Sequence, residues 1–452
     1  MASQTVYEIH GGDPVRGRIT ALGAKNFVTK AMVAALLGDS PTTLTNVPPI
    51  GDVDITAAML RAVGVAVDPE EGGALRIDAR GLAASQVPLP HSGSNRIPIL
   101  LLGALLHRFD RVAVPLVGGC MIGKRGVDFH LRALEAFGAR VEQSEAGYVA
   151  QRVGALRGTE IHLPYPSVGA TETCLYLGSL ARGRSVIRNA ASEPEIMELI
   201  TMMRGMGAII FTKPGREIVI EGVERLRGTR MEVLGDRIEA ASWACLAAAS
   251  DGEIVVDGAR PDSLGNFLSY FAQAGGGVEL EGPQTIRFFR REPLRPCSLE
   301  TDVFPGFSTD WQQPFAVVLT QAHGVSVLHE TVYEHRLGYL SVLDELGATT
   351  QVYDTCLGGG PCRFNASAWP HSAIIQGPCE LQAVGEVTVP DLRAGLAYII
   401  AAVVAKGCTE LYGAEFVERG YGNVVPRLRA MGVDITRIVK PASSSSARVD
   451  VR

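Results

Sequence analysis

The stretch MLRAVGVAV, residues 59–67, places a glycine between apolar residues at helical spacing and a short alternating run. Five further segments repeat this order: ALEAFGARV (133–141), MMRGMGAII (202–210), YFAQAGGGVEL (270–280), VLDELGATT (342–350) and RLRAMGVDI (427–435). Each segment predicts a helix that stops at a glycine and continues as a strand. We expect the six glycines to mark six copies of one unit: Gly64, Gly138, Gly207, Gly275, Gly347 and Gly432.

The residues on both sides of Gly64 indicate what one unit contains. GRITALG (17–23) and TTLTNV (42–47) alternate like strands, KNFVTKAMVAALLG (25–38) and DVDITAAMLRAVG (52–64) have helical spacing, and ALRIDARG (74–81) closes the unit as a strand. The order is βαβαββ, and such a unit leaves faces that neighbours must cover. We therefore expect an α/β fold with two domains of three units each; the alternative is six unrelated α/β segments. The tail PASSSSARVDVR (441–452) is predicted to be disordered.

Composition restricts the partners. The 452 residues exceed the roughly 250–300 at which one core stops growing, which also favours two domains. A net charge of -6 argues against a general nucleic-acid binder. The longest apolar runs, IPILLLGALL (97–106) and LAYIIAAVVA (396–405), are shorter than the ~18–20 residues that span a bilayer, and the N-terminus does not have the pattern of a signal peptide. We expect a cytoplasmic protein with neither nucleic acid nor membrane as partner.

The eight cysteines are scattered through the chain, which indicates reduced thiols rather than a disulfide framework. Only CLGGGPC (356–362) is a cluster. Its five-residue gap, without a histidine pair nearby in the sequence, is poor spacing for zinc. We therefore expect no metal site.

GGCMIGKR (118–125) fits the phosphate-loop pattern G-x-x-x-x-G-K-[ST] except at its last position. Arg125 would place a cation where magnesium should sit, so a nucleotide phosphate loop is not expected. Lys124 and Arg125 instead favour the thiolate of Cys120, which predicts a reactive cysteine on a loop that also binds phosphate. The alternative for Cys120 is a small apolar filler in a turn.

Several motifs distributed along the chain resemble those of one family. They are GAKN (23–26), GGCMIGKR (118–125), VDFH (127–130), PSVGAT (166–171), EPEI (193–196), GDRIEA (235–240), TDWQQP (309–314), ETVYEHR (330–336), PDLR (390–393) and RGYGN (419–423). They resemble the enolpyruvyl transferases, in the branch that acts on UDP-N-acetylglucosamine rather than on shikimate phosphate. The resemblance covers nearly the whole chain.

This resemblance implies the inside-out α/β barrel type of fold, with one domain at 25–235 and a second at 1–24 and 236–440. It places the active site in the cleft between the domains. It implies transfer of the enolpyruvyl group of phosphoenolpyruvate to a sugar hydroxyl of UDP-N-acetylglucosamine, with release of phosphate. In that family this is the first committed step of peptidoglycan precursor synthesis, and it requires neither a metal nor an organic cofactor.

The resemblance assigns the phosphoenolpyruvate site to cations. Lys25, Arg125 and Arg419 match the ligands of this substrate, and Arg393 lines the same side with Asp391. Paired arginine donors suit both the phosphate and the carboxylate of phosphoenolpyruvate. Taken singly, each would be interpreted as a surface cation.

Two further matches supply acid–base chemistry. Cys120 matches the cysteine that protonates the methylene carbon and is alkylated by fosfomycin, and Asp310 matches the aspartate that acts as base or proton relay beside the sugar hydroxyl. The resemblance also implies a catalytic role for the cation Lys25, in addition to Cys120 and Asp310. Outside its motif, Asp310 would be interpreted as a helix cap or turn former.

The sugar-nucleotide residues are implied by the resemblance alone. They are Asn26, Arg96, Val127, Asp128, Phe129, Ser167, Val168, Gly169, Asp310 and Val332, with Arg336 toward the sugar. Asp236 and Glu193 are expected to organise the site by pairing with cations. Glu193 is equally consistent with an acid at a helix N-terminus. VDF could also be plain strand core, and SVG a plain turn.

Two positions depart from the family pattern. Gly126 stands where a proline is usual, and Gly51 stands where a basic residue is common. These two differences do not affect the residues that match the phosphoenolpyruvate site. They do affect the region expected to bind the acceptor, and so the identity of the acceptor. An alternative is therefore a paralog that enolpyruvylates another uridine nucleotide, such as UMP in nucleoside-antibiotic synthesis. A third hypothesis, an inactive paralog that binds a sugar nucleotide to regulate, is disfavoured because Lys25, Cys120 and Asp310 are all present.

Overall fold

The computed structural model describes residues 3–88, 95–118, 126–360, 362–365, 367–389 and 392–441. Its helices are α1 (Lys25–Ala34), α2 (Gly51–Ala62), α3 (Ile97–Leu105), α4 (Asp128–Ala136), α5 (Val168–Leu180), α6 (Pro194–Gly205), α7 (Arg237–Ala249), α8 (Pro261–Gln273), α9 (Gln312–Thr320), α10 (Leu340–Glu345), α11 (Leu392–Val404), α12 (Ala414–Gly420) and α13 (Val424–Ala430). Short 3₁₀ turns follow at Ala35–Leu37, Glu71–Gly73 and Ala79–Gly81.

Strands alternate with these helices along the chain. They are β1 (Ser3–Gly11), β2 (Arg16–Thr20), β3 (Thr42–Thr45), β4 (Ala66–Glu70), β5 (Ala74–Asp78), β6 (Arg111–Val114), β7 (Ala139–Ser144), β8 (Gly147–Arg152), β9 (Glu160–His162), β10 (Arg184–Arg188), β11 (Ile209–Lys213), β12 (Glu217–Glu221), β13 (Arg230–Glu232), β14 (Glu253–Asp257), β15 (Gly276–Gly282), β16 (Thr285–Arg290), β17 (Ser298–Glu300), β18 (Gly324–His329), β19 (Thr349–Tyr353), β20 (Ser372–Gly377), β21 (Glu386–Thr388), β22 (Gly407–Tyr412) and β23 (Asp434–Pro441). The protein is mixed α/β, as the sequence predicts.

The six repeat glycines end six helices in one way. Each lies two residues beyond the last helical residue of α2, α4, α6, α8, α10 or α13, and a strand begins one or two residues later. All six have φ between +85° and +104°, and each N–H donates to the carbonyl three residues earlier at 2.9–3.1 Å. This is the left-handed helix end that favours glycine. The predicted helix–glycine–strand order is confirmed at all six positions.

The strands of the described residues form six small sheets. Their orders are β13-β3-β5-β4, β6-β8-β7, β11-β12-β10-β9, β15-β16-β14-β2, β17-β18-β20-β19 and β21-β22-β1-β23. In every four-stranded sheet one edge strand is parallel to its neighbour and the other pairs are antiparallel. Parallel neighbours need a crossover connection, which α5, α9 and α11 provide between successive strands in three of the sheets.

The first predicted unit is not contiguous in the structure. Its opening strand, GRITALG, contributes β2, which pairs with β14 rather than with β3. The edge beside β3 is occupied by β13 instead. Because a strand edge must find hydrogen-bond partners, β2 and β13 each complete a sheet formed elsewhere along the chain.

Contacts divide the chain into two compact units. The first, called here the Asp310 unit, comprises Met1–Ala21, Arg237–Asp302 and Phe307–Arg452. The second, called the Lys25 unit, comprises Leu22–Asp236 and Val303–Gly306. Pro441 ends β23 opposite Ser3, so the predicted tail begins one residue too early. The remainder of the tail, 442–452, lies outside the described residues.

Each unit has its own core of apolar helices. In the Lys25 unit, all nine residues of α3 are buried, and α3 packs against α1 and α5. In the Asp310 unit, α7, α9 and α11 contact one another, and all thirteen residues of α7 are buried. The two longest apolar runs of the sequence thus lie in core helices, α3 and α11. No helix of the described residues has both the length and the apolar character to cross a bilayer.

We predict that Gly432→Ala lowers the free energy of unfolding by about 1 kcal/mol. Gly432 has φ +85°, and a Cβ there would meet no atom within 4 Å, so backbone strain is the only cost. Gly385→Ala is the matched control in the same unit, because a Cβ there also meets nothing and its φ lies outside the left-handed region. Urea denaturation followed by circular dichroism measures both. Equal stability of the two variants would contradict this role of the glycine.

Candidate active site

A buried ion pair fixes the first cation of the predicted site. Lys25 is the first residue of α1, and its Nζ donates to Asp236 Oδ2 at 2.8 Å. The two side chains are only 6% and 4% exposed. The backbone holds both partners, since Ala24 N donates to Leu234 O and Asp236 N donates to Leu22 O, each at 2.8 Å. A buried ammonium is costly without such a partner, so Asp236 offsets that cost and fixes the position of Lys25.

Arg96 and the residues before α4 lie together. Arg96 Nη2 donates to Gly126 O at 3.1 Å. Val127 is buried as the residue preceding α4, whereas Asp128 is exposed and lies 3.8 Å from Arg132. Phe129 is partly buried against the core of the Lys25 unit. The structure therefore brings four predicted nucleotide residues to one place, the entrance to α4, and VDF is a helix start rather than strand core.

Gly126 leaves room for the side chain of Asp128. A Cβ at position 126 would lie 2.7 Å from Asp128 Oδ1. Because the clash is with the end of a side chain, a residue with a Cβ would displace the carboxylate rather than the backbone. The glycine at position 126, where the family usually has proline, thus affects the orientation of the Asp128 side chain.

The predicted diphosphate residues form the N-terminus of α5. Ser167 caps the helix, since its Oγ accepts from Ala170 N at 3.3 Å. No hydrogen bond from the N–H of Val168 or Gly169 occurs within the part of the chain that the structure describes. Gly169 packs against His130, whose ring would lie 2.8 Å from a Cβ at 169. Free N–H groups and the helix dipole make this terminus suited to an anion.

Glu172, one turn into α5, is a buried carboxyl that sequence reasoning missed. Burial raises its pKa to about 7, Lys30 opposes this shift, and Glu195 and Glu193 add to it. Glu193 directly precedes α6 and makes no side-chain cap to that helix. An acidic residue within an otherwise apolar helix, TETCLYLG, was the only signal in the sequence. The carboxyl therefore changes charge close to neutral pH.

Asp310 is held by a second buried ion pair. Arg336 Nη2 donates to Asp310 Oδ1 at 2.9 Å, and the two side chains are 0% and 10% exposed. The same Nη2 donates to Thr309 O at 3.0 Å and to Gln313 Oε1 at 3.2 Å. The planar guanidinium thus fixes the position of Asp310 Oδ1 relative to Thr309 and Gln313.

Glu330 connects this pair to Val332. Its Oε1 accepts from Val332 N at 2.6 Å and from Tyr333 N at 2.8 Å, and its Oε2 accepts from Thr309 Oγ1 at 2.8 Å. Burial raises the pKa of Glu330, and Arg336 opposes the rise. The motif ETVYEHR carries part of the family resemblance, but the resemblance assigns no role to Glu330. The structure makes it the residue that shapes the loop after β18.

The remaining predicted residues are placed as follows. Asn26 is half-buried next to Lys25 on α1, and Arg419 is half-buried in the last turn of α12. Arg393 is the second residue of α11, and its side chain is not described. Cys120, Lys124, Arg125 and Asp391 lie outside the described residues. The structure thus brings together Lys25 with Asp236, Arg96 with the entrance to α4, and Asp310 with Arg336.

The surroundings of the CLGGGPC cluster were not visible in the sequence. No histidine pair is close to CLGGGPC along the chain, but the structure places His329 and His371 beside Cys356 and Cys362. The reason is topological: β18 and β20 are antiparallel neighbours, and His329 lies opposite Ser372. Metal-ligand spacing in sequence could not detect histidines brought together by strand pairing.

The chain is similar to a known family over most of its length. The chain matches the EPSP synthase family (3-phosphoshikimate 1-carboxyvinyltransferase) over residues 9–428. UDP-N-acetylglucosamine 1-carboxyvinyltransferase of Protochlamydia amoebophila is 46% identical over 441 residues, covering 96% of this chain and 94% of that protein. Proteins of the same name from Chlamydia pneumoniae and Gloeobacter violaceus are 43% and 37% identical, covering 95% and 97% of this chain and 94% and 92% of those proteins.

Solved structures show the same fold. The enolpyruvyl transferase NikO from Streptomyces tendae has a TM-score of 0.85 at 24% identity, and EPSP synthase from Acinetobacter baumannii has 0.72 at 17%; each match covers 97% of this chain and 100% of the other. These matches show that the chain shares their fold. The chain belongs to the EPSP synthase family, and it is a carboxyvinyl (enolpyruvyl) transferase. The resemblance drawn from the motifs is confirmed.

We predict that Glu172→Gln changes the pH dependence of stability. The folded-state pKa is raised from 4.5 to about 7, so the stability of the native protein falls as pH rises through that range, because the carboxyl ionises in the unfolded chain while it stays protonated in the folded one. The variant cannot ionise there, and its stability relative to the native protein should rise by roughly 2–3 kcal/mol between pH 5 and pH 8. Glu135→Gln, at an exposed glutamate of α4, is the control and should keep the native pH profile. Denaturant titrations at the two pH values test this, and a difference that is the same at both would contradict it.

Proposed function

We propose that this enzyme transfers the enolpyruvyl group of phosphoenolpyruvate to the 3-hydroxyl of UDP-N-acetylglucosamine and releases phosphate. The observation that carries the proposal is identity of up to 46%, over 96% of the chain, with proteins named for this reaction. The buried cation Lys25 and the fixed carboxylate Asp310 support it, because the reaction needs a charged cradle and a base. The product would be the first committed intermediate of peptidoglycan precursors.

The chemistry assigns a role to each polar group. The sugar hydroxyl adds to C2 of phosphoenolpyruvate while Asp310 takes its proton, and Cys120 gives a proton to the methylene carbon. Protonation turns the methylene carbon into a methyl group; a base then takes one methyl proton as phosphate leaves the tetrahedral intermediate, which restores the double bond. Lys25, Arg125, Arg393 and Arg419 bind the phosphate and carboxylate. Charge develops next to these cations as the intermediate forms, and they stabilise it electrostatically.

The acceptor would be bound mainly through the Lys25 unit. We assign the uracil to Arg96, Val127, Asp128 and Phe129, and the diphosphate to the N-terminus of α5 at Ser167, Val168 and Gly169. Asn26, Asp310 and Val332 are assigned to the sugar. The clustering of the first group at the entrance to α4 and the free N–H groups of α5 support these roles.

The repeats and domains are part of the same proposal. Six βαβαββ units would form two domains of three, at 25–235 and at 1–24 with 236–440. The proposal is supported by the three sheets in each compact unit and by the six helix ends at glycine. The contacts differ from the proposed bounds in that Leu22, Gly23, Ala24 and Asp236 belong to the Lys25 unit. We place the enzyme in the cytoplasm; Cys174, Cys245 and Cys297 are buried free thiols, which suits a reducing compartment.

Another uridine nucleotide, such as UMP, is the alternative acceptor. Gly126 is the observation in its favour, because the absence of a Cβ sets the position of Asp128 beside the residues assigned to uracil. The diphosphate residues at α5 favour UDP-N-acetylglucosamine, since UMP has a single phosphate.

Phosphate release from phosphoenolpyruvate, measured with each acceptor and with neither, tests the proposal. We expect release with UDP-N-acetylglucosamine and at most a trace with UMP or alone. Cys120→Ala should reduce release by about 100-fold or more near neutral pH, because a general acid contributes that much. Release with UMP alone would identify the diverged acceptor, and release with neither would refute the transfer activity.

Asp310→Asn and Arg336→Lys separate the base from the group that positions it. We expect Asp310→Asn to lower kcat by ~100-fold or more, because the amide cannot take a proton. Arg336→Lys keeps the charge but loses the donor geometry that also contacts Thr309 and Gln313, so kcat should fall ~10-fold with the KM of phosphoenolpyruvate unchanged. Arg429→Lys on α13 is the control and should retain native kinetics. Native kcat in Asp310→Asn would exclude Asp310 as the base.

A further inference from the structure

Four side chains of the Asp310 unit converge at a place that the transferase chemistry does not use. They are His329 at the end of β18, Cys356 and Cys362 in the loop between β19 and β20, and His371 just before β20. One ligand atom from each lies within 4.8 Å of all the others. Cys356 Sγ lies 3.3 Å from His371 Nε2. Both histidines are buried and both cysteines are half-buried.

A hydrogen bond at Nδ1 fixes the orientation of each histidine ring. His329 Nδ1 lies 2.8 Å from Ser372 Oγ, and His371 Nδ1 lies 2.6 Å from Trp369 O. Each ring therefore has its Nε2 on the opposite side, toward the thiols. His329 Nε2 is buried and has no hydrogen-bond partner among the described residues. Outer hydrogen bonds of this kind fix the orientation of metal-binding histidines.

The cysteine loop is shaped to reach these rings. Glu300 Oε2 accepts from Gly359 N at 3.2 Å and from Gly360 N at 3.4 Å. Gly358 passes so close to His329 that a Cβ would lie 2.3 Å from its Cδ2, the atom next to Nε2. Phe364 N donates to Cys362 Sγ at 3.3 Å, which fixes the position of that sulfur atom. The loop thus presents both sulfur atoms to the two imidazoles.

We propose that these four residues form a structural zinc site. Two thiolates and two imidazoles are a preferred tetrahedral ligand set for zinc, and each thiol would release its proton to solvent on binding. Zn–S and Zn–N distances of about 2.3 and 2.0–2.1 Å place ligand atoms roughly 3.6 Å apart, so small side-chain shifts suffice. A protein ligand set of four leaves no open position, which makes the site structural rather than catalytic.

Zinc would fasten the loop to β18 and, through Arg363, to the segment that follows β18. Arg363 adjoins Cys362, donates to Val332 O and lies 3.9 Å from Glu334. The metal would therefore stabilise the Asp310 unit, and this inference does not depend on which acceptor the enzyme uses.

Zinc content of the purified full-length chain tests the site. The chain is produced without a histidine tag, in zinc-supplemented medium and under reducing conditions, and zinc is measured by mass spectrometry. We expect about one ion per chain in the native protein and in Cys379→Ser, and at least a fivefold loss in Cys356→Ser and Cys362→Ser. Cys379 is a half-buried thiol of the same unit whose Sγ donates a hydrogen bond to Gln376 O, outside the cluster.

Two measurements on the protein of native sequence test the site even if a cysteine variant folds poorly. Replacement of zinc by Co²⁺ should give the intense visible absorption and sulfur-to-cobalt charge-transfer bands of a tetrahedral site with thiolates. Removal of the metal by a chelator should lower the melting temperature of the native protein and of Cys379→Ser, and readdition of Zn²⁺ should restore it. Native protein that retains no zinc after reconstitution, or full zinc in both cluster variants, would overturn the site.

Discussion

The fold depends on how six helices end. At each of the six repeat glycines the backbone turns into the left-handed region, and the chain reverses from helix to strand within two residues. This reversal lays a strand beside the helix that precedes it, so a small sheet can cover apolar helix faces. Any residue with a Cβ would pay a steric cost at the point where the direction changes, which explains why glycine recurs there while the neighbouring residues vary.

Buried charge pairs give the candidate site its rigidity. Lys25 with Asp236, and Asp310 with Arg336, lie in almost fully buried surroundings where an unpaired charge would be costly. Each pair is further held by backbone groups, so the functional atoms cannot easily change position. Glu330 extends this order to the loop carrying Val332. Catalysis by preorganised charges requires this kind of support, because side chains that reorient during the reaction would lose the stabilisation.

The two compact units use different devices to hold their loops. In the Lys25 unit a helix terminus, α5, presents free N–H groups, and a carboxyl of raised pKa lies one turn behind it. In the Asp310 unit two thiols and two imidazoles lie together beside β18 and β20. Polar groups thus lie close together at one place in each unit.

The sequence alone determined the mixed α/β class, the helix–glycine–strand repeat and the family, because periodicity, turn residues and contiguous motifs are local properties of the chain. It also named the cations and acids of the candidate site by their motifs. Only the tertiary structure decided that β2 completes the sheet of β14, that Glu330 and Glu172 are buried, and that His329 and His371 meet Cys356 and Cys362. Strand pairing and burial join residues far apart in the chain, and no local pattern encodes which distant partner a given edge or side chain will meet.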